Sequence, residues 1–243
     1  MFIPIETFPF ALLCLASFLG SFITVAFGIG GGALLLALMA SLLPPIALIP
    51  IHGVVQLGSN ATRALLFYSK AYWPPVGWFA LGSLIGAVFG GRIVVSLPDG
   101  WILIGVGAFI LWNIVWHPPQ WLSKAPFATG VFSSFLTMFF GATGSFVVNF
   151  SRSLKLPKER YVATHAVLMT LQHSLKILVF VALGFAFQDW AVLIIGMILT
   201  GVFGTYIGKR VLYKVSEKTF KITLDVMLFL IAMRLIYQGI SSL

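Results

Sequence analysis

Apolar runs fill this chain almost from end to end, near residues 8–43, 50–70, 75–96, 100–116, 126–156, 161–187, 189–208 and 219–239, with short polar or proline-bearing breaks between them. One water-soluble core cannot hide that much apolar surface, because 60% of the residues are hydrophobic and only 9% are charged. The runs are therefore expected to be membrane helices, about eight of roughly 20 residues each, in an all-α polytopic membrane protein. Met1–Phe10 holds Glu6 and no Lys or Arg before the first run, so it lacks the basic start of a cleaved signal peptide and that run is expected to remain a helix. Cys14 is the only cysteine, which excludes an intrachain disulfide and reads as a buried thiol.

A net charge of +9 invites a nucleic-acid reading, yet the basic residues sort by loop rather than forming one patch, so no nucleic-acid partner is expected. Arg92 follows the third run, Arg152, Lys155, Lys158 and Arg160 follow the fifth, and Lys209, Arg210, Lys214, Lys218 and Lys221 surround the junction of the seventh and eighth. If every run crosses once, these loops share a side, and the positive-inside rule makes it the cytoplasm. Lys70 and Lys124 would then lie opposite, with both termini outside the cytoplasm of a plasma-membrane protein. Trp73, Trp101, Trp112, Trp116, Trp121 and Trp190 cluster near expected helix ends, where an amphipathic ring favours the headgroup region.

Features recur on either side of the Pro-rich segment after His117. Gly28 and Gly31 match Gly141 and Gly144, Pro44 matches Pro157, and Phe89-Gly90 matches Phe203-Gly204. The chain therefore reads as a four-run unit at 1–117, an outer linker at 118–125, and a second four-run unit at 126–243. An even number of crossings per unit predicts two copies of the same orientation, related by an axis along the membrane normal. Small residues at intervals of four, Gly82, Gly86 and Gly90 in the third run and Gly196, Thr200, Gly204 and Gly208 in the seventh, predict close helix packing.

The first and fifth runs are too long for one simple crossing, and each is interrupted, by Gly28–Gly32 and by Gly141–Ser145. Glycine at that density disfavours a continuous helix by about 1 kcal/mol per residue relative to alanine. A discontinuous helix is expected in each copy, with a second half-helix starting near the membrane middle. Its first amides have no partner within the helix, and amides and dipole together suit an anion, which makes Gly31, Gly32, Gly144 and Ser145 candidate binding positions. The other reading is glycine used for packing alone.

Matched polar stripes mark the second and sixth runs. His52, Gln56, Ser59 and Arg63 share one face at about 100° per residue, with Asn60 at its edge. The equivalent face presents His165, Gln172, His173 and Lys176. Arg63 and Lys176 lie too far from the ends of their runs to snorkel. No carboxylate falls at that depth, Asp225 being early in the last run, so an anionic substrate is the expected counter-charge. Alternatively the two cations cap backbone carbonyls and the histidines are neutral helix contacts. Without a thiolate or carboxylate beside the histidines, neither a metal nor another cofactor is expected. His117 reads as solvated, and Arg234 as snorkelling to the outer surface.

With these residues in view, the chain resembles the sulfite exporter TauE/SafE family of membrane permeases over nearly its whole length. The resemblance rests on the duplicated layout, the Gly28–Gly32 run, the stretch His52-Gly53-Val54-Val55-Gln56-Leu57-Gly58-Ser59-Asn60, and the second glycine break before a basic loop. It implies transport, usually outward, of small anions such as sulfite and sulfonates. The second copy departs from the first, with Met169 at the place of Gln56 and His173 at that of Asn60, which leaves the anion's identity open.

The expected function is a transporter that holds a small anion between the two copies and alternates access around that site. Without an embedded carboxylate, outward movement is expected to be assisted by the membrane potential. The alternatives are a non-transporting subunit of a larger complex and a membrane-embedded enzyme. The latter would need an organised nucleophile or metal that these residues do not supply.

Overall fold

A computed structural model describes residues 5–27, 30–94, 97–116, 119–211 and 217–243. Gly28, His117 and Lys214 lie outside the described residues. Each expected run is helical: α1 (Thr7–Phe27), α2 (Gly31–Ala40), α3 (Pro45–Leu66), α4 (Val76–Val94), α5 (Asp99–Val115), α6 (Pro126–Phe140), α7 (Gly144–Ser153), α8 (Lys158–Ala182), α9 (Ala191–Val211) and α10 (Glu217–Ser241). Prolines set the starts of α3 and α6, where a missing N–H and a fixed φ are harmless.

Among the described residues, five stretches are long and apolar enough to cross a membrane on their own: Thr7–Ala26, Val76–Val94, Lys158–Ala182, Phe187–Arg210 and Leu224–Ser241. α3 matches them in length at 22 residues, but its polar stripe lowers its hydropathy. The molecule is turned inside out relative to a soluble protein. Leu84, Phe89, Leu199, Phe203 and Leu230 are exposed, while Ser17, Asn60, Arg63, Thr137, Gln172 and Lys176 are buried. That distribution suits lipid outside and a polar interior.

The helices pack across the two halves of the sequence. α1 lies along α9 in parallel, with Phe10 and Cys14 beside Gly196, and Phe22 and Val25 beside Gly208. α4 lies along α6 in the same way, with Gly82 against Phe127 and Gly90 against Phe135 and Met138. A Cβ at Gly86 would lie 2.8 Å from the backbone nitrogen of Phe135, so the expected small-residue faces are places of backbone contact. α3 and α8 run antiparallel: Gly53 meets Lys176, while the Tyr72 amide just after α3 donates to Thr164 Oγ1 at 2.9 Å. α5 and α10 are also antiparallel, with Gly100 beside Gly239 and Gly107 beside Ala232 and Ile236.

These pairings correct two expectations. The fifth run does not cross after its break but turns back. Ser153 Oγ, at the end of α7, donates to Ser123 O at 2.6 Å, and Thr129 Oγ1, at the start of α6, donates to the neighbouring Leu122 O at 2.6 Å. The first run also doubles back: Gly20 of α1 faces both Gly31 and Leu35 of α2. Gly141 at φ 72° and Gly30 at φ 102° occupy backbone conformations that L side chains rarely adopt, and they sit at the two reversals. Among the described residues each half thus has one hairpin followed by three further helices, an odd number, so the halves run in opposite senses rather than in the same one.

The hairpins also regroup the charges. Arg160 stacks over the Tyr72 ring at 5.6 Å, and Lys209 over the Phe67 ring at 4.9 Å. Lys70, Lys124, Arg152, Lys155, Lys158, Arg160, Lys209 and Arg210 therefore share one end of the bundle. Glu6, Arg92, Asp99, Asp189 and Arg234 belong to the other. Lys70 and Lys124 join the basic end, contrary to expectation, and Arg92 leaves it.

Candidate functional site

A cavity of about 240 Å³ lies between the two hairpins. Its deep wall comes from Gly30, Gly32 and Ala33 at the first break and from Gly141, Ala142, Gly144 and Ser145 at the second. Because α2 and α7 run toward opposite ends of the bundle, their N-termini face this space from opposite sides. Neither has a side-chain cap: Gly30 has no side chain to offer, and Thr143 Oγ1 donates instead to Ser133 O at 2.9 Å. Among the described residues neither N-cap side chain meets the first amides of its half-helix, and both helix dipoles present their positive ends.

α3 forms one side wall with His52, Gln56, Asn60 and Arg63, and these groups are linked. Arg63 Nη2 donates to Asn60 Oδ1, and Asn60 Nδ2 donates to Gln56 O at 2.7 Å and Gln56 Oε1 at 3.3 Å. Arg63 is 2% exposed, and its Nε has no hydrogen-bond partner among the described residues. His52 Nε2 donates to Gly32 O at 3.0 Å, which fixes its ring against the start of α2.

α8 forms the facing wall with His165, Met169 and His173. His165 is bonded to the backbone of Val147 in α7, as His52 is to that of α2. His173 is 1% exposed, its ring lies edge-on to His52 at 6.2 Å, and neither of its ring nitrogens has a hydrogen-bond partner among the described residues. The site thus offers donors and positive dipoles around one cavity, an arrangement suited to binding a small oxyanion.

Of the candidate residues, His52, Gln56, Asn60, Arg63, Gly32, His165, His173, Gly144 and Ser145 line the cavity; Gly31, Gln172 and Lys176 do not. Gly31 is packed on Gly20 and Thr24. Gln172 Nε2 donates to Thr143 Oγ1 at 3.3 Å behind the second break. Lys176, fully buried, donates to Thr137 Oγ1 at 3.1 Å and to Gly141 O at 3.3 Å, and so holds the end of α6.

Other wall residues were not singled out from the sequence: Thr24, Asn113, Asn149, Arg152 and Asp225. Asn113 and Asn149 could have been found as isolated amides inside apolar runs. Asp225 overturns the expectation that no carboxylate reaches the site. Its position early in α10 lies on the cavity wall because α10 packs beside α2. Arg152 and Trp116 are exposed and also line the cavity, so it opens toward the basic end.

The profile described as "Sulfite exporter TauE/SafE" matches residues 13–235, nearly the whole chain. Among curated proteins and among solved structures, none matches. With helices able to cross a membrane and a family match of this length, the chain is a multi-pass membrane transport protein and belongs to the sulfite exporter TauE/SafE family.

Proposed function

We propose that this protein carries a small sulfur-containing oxyanion of the sulfite or sulfonate class across the plasma membrane by alternating access around the cavity. The observation that carries the reading is the pair of half-helix N-termini without side-chain caps, facing one cavity from opposite sides beside a buried arginine. Arg63 supplies charge, the first amides of α2 and α7 hold the anion's oxygens, and Gln56, Asn60, His52, His165 and His173 orient it. Lys176 holds the second break in shape.

The basic end is the cytoplasmic end by the positive-inside rule, which leaves both termini outside. On that orientation the cavity faces the cytoplasm, the state in which an exporter loads. The helix exchange supports a duplicated, inverted architecture, with α1 packed on α9, α4 on α6 and α3 on α8.

Flux of sulfite through proteoliposomes containing only this protein tests the reading. Wild-type protein is expected to raise efflux above that of protein-free vesicles, and Arg63→Ala to remove the difference. Equal efflux from both kinds of vesicle would support the accessory-subunit alternative. Consumption of the anion by purified protein in detergent would support an enzyme.

A further inference from the structure

We propose that Arg152 forms an outer anion station at the mouth of the cavity, where a small oxyanion is captured before it passes along α7 to the deep site. The inference rests on the anion-site reading above and adds the route by which that site is loaded.

α7 presents one face to the cavity. Ser145, Val148, Asn149 and Arg152 all line it, and at about 100° per residue they fall within an arc of about 100°. Exposure rises along this face, from buried Val148 through half-buried Asn149 to exposed Arg152, with exposed Trp116 of the segment after α5 also at the opening. At about 1.5 Å per residue, Arg152 stands ~12 Å along the helix from Gly144 at the second break, so one small oxyanion cannot meet both ends of the face at once. Arg63, 2% exposed, lines the same cavity from α3. One space thus holds a shielded guanidinium within and a solvated one at its opening.

The two ends of α7 act oppositely on an anion. Its N-terminus is the positive end of the helix dipole and faces the deep wall, whereas its C-terminus is the negative end and lies at the basic end of the bundle. Without a cation in the last turn, the mouth would repel the anion that the deep wall attracts. Arg152 is the basic residue of that turn and reverses the sign of the field there. A solvated guanidinium holds an anion weakly and releases it readily, so its effect falls on the rate of encounter more than on final affinity. Once past it, the anion moves down the α7 dipole toward the first amides of that helix.

The test is the concentration dependence of sulfite flux through proteoliposomes, at constant pH and at two ionic strengths. These are about 0.01 M, where the screening length is about 30 Å, and about 1 M, where it is about 3 Å. Arg152→Gln is expected to lower kcat/KM roughly three- to tenfold at the low ionic strength and by under about twofold at the high one, with kcat unchanged at both. Arg152→Lys, which keeps the charge, is expected to restore most of the loss. Lys70→Gln, which removes a charge from the same end but not from the cavity, is expected to change kcat/KM by under about twofold at either. An equal loss in Lys70→Gln would assign the effect to the charge of the whole end and overturn the proposal. So would a loss in Arg152→Gln that persists at the high ionic strength and is not restored by lysine, which would mark a structural role at the end of α7. Flux in Arg152→Gln equal to that of the wild type at both ionic strengths would overturn the outer station alone and leave the deep site standing. Wild-type flux no greater than that of protein-free vesicles would overturn both.

Discussion

The polar stripes of α3 and α8 occupy equivalent places in the two halves, yet their cations have parted company. Arg63 stays on the cavity wall, braced by Asn60, which is in turn bonded to Gln56. Lys176 turns away and donates to Thr137 Oγ1 and Gly141 O. The reason lies in their neighbours. At the position equivalent to Asn60 the second half has His173, whose ring does not brace a cation, and the lysine's long stem reaches the carbonyl freed where α6 ends. On the proposed function, one buried charge addresses the substrate and the other holds a backbone reversal. Equivalent stripes would then divide ligand recognition from structural support without losing either positive group.

The comparison is open to attack at each residue. Lys176→Ala is expected to have the largest effect, lowering stability by about 2–4 kcal/mol because it leaves a gap beside the second break and unties α8 from Thr137 and Gly141, although the Gly141 carbonyl still accepts from Thr137 Oγ1 at 2.8 Å. Thermal unfolding in detergent would show it, with anion affinity in the surviving folded fraction unchanged to within about threefold. Arg63→Ala reverses the pattern. Anion binding, read by titration, weakens roughly 10- to 100-fold for the loss of charge-assisted hydrogen bonds, with the melting temperature held or raised. Asn60→Leu keeps the charge but removes its brace and is expected to weaken binding by about 1–1.5 kcal/mol. Thr137→Val removes one of the two acceptors of Lys176 and lowers stability by about 1 kcal/mol, again without changing affinity. Met169→Gln, which restores the residue at the equivalent place in the first half, is expected to change binding by under about 1 kcal/mol. A larger effect would show that the second stripe also reads the substrate.

Much of this was legible in the sequence, for identifiable reasons. The helices could be bounded because prolines and polar breaks interrupt long apolar runs, and the α3 stripe because His52, Gln56 and Arg63 recur at helical spacing. The glycine clusters marked the half-helices. What they could not reveal was direction: a glycine break that continues a crossing and one that reverses it have the same composition, and the reversals show in Ser153 resting on Ser123 and in Gly20 facing Gly31. That choice decided the relative sense of the two halves and the grouping of Lys70 and Lys124 with the other basic residues. Asp225 lies early along its own helix, whereas its place on the cavity depends on the packing of α10 against α2 and α5. The destination of Lys176 was equally hidden, since a buried lysine on a polar face has the same sequence signature whether it meets substrate or backbone.

The central claim is that both half-helix N-termini and Arg63 converge on one anion. The most direct measurement is an experimental structure of the protein with selenite, an oxyanion whose selenium can be located by anomalous scattering. The account predicts a selenium peak between Gly32 and Gly144, with oxygens within hydrogen-bond reach of the Arg63 guanidinium and of the first amides of α2 and α7. A peak beside Lys176 instead, or at the exposed basic end with the cavity holding none, would contradict it.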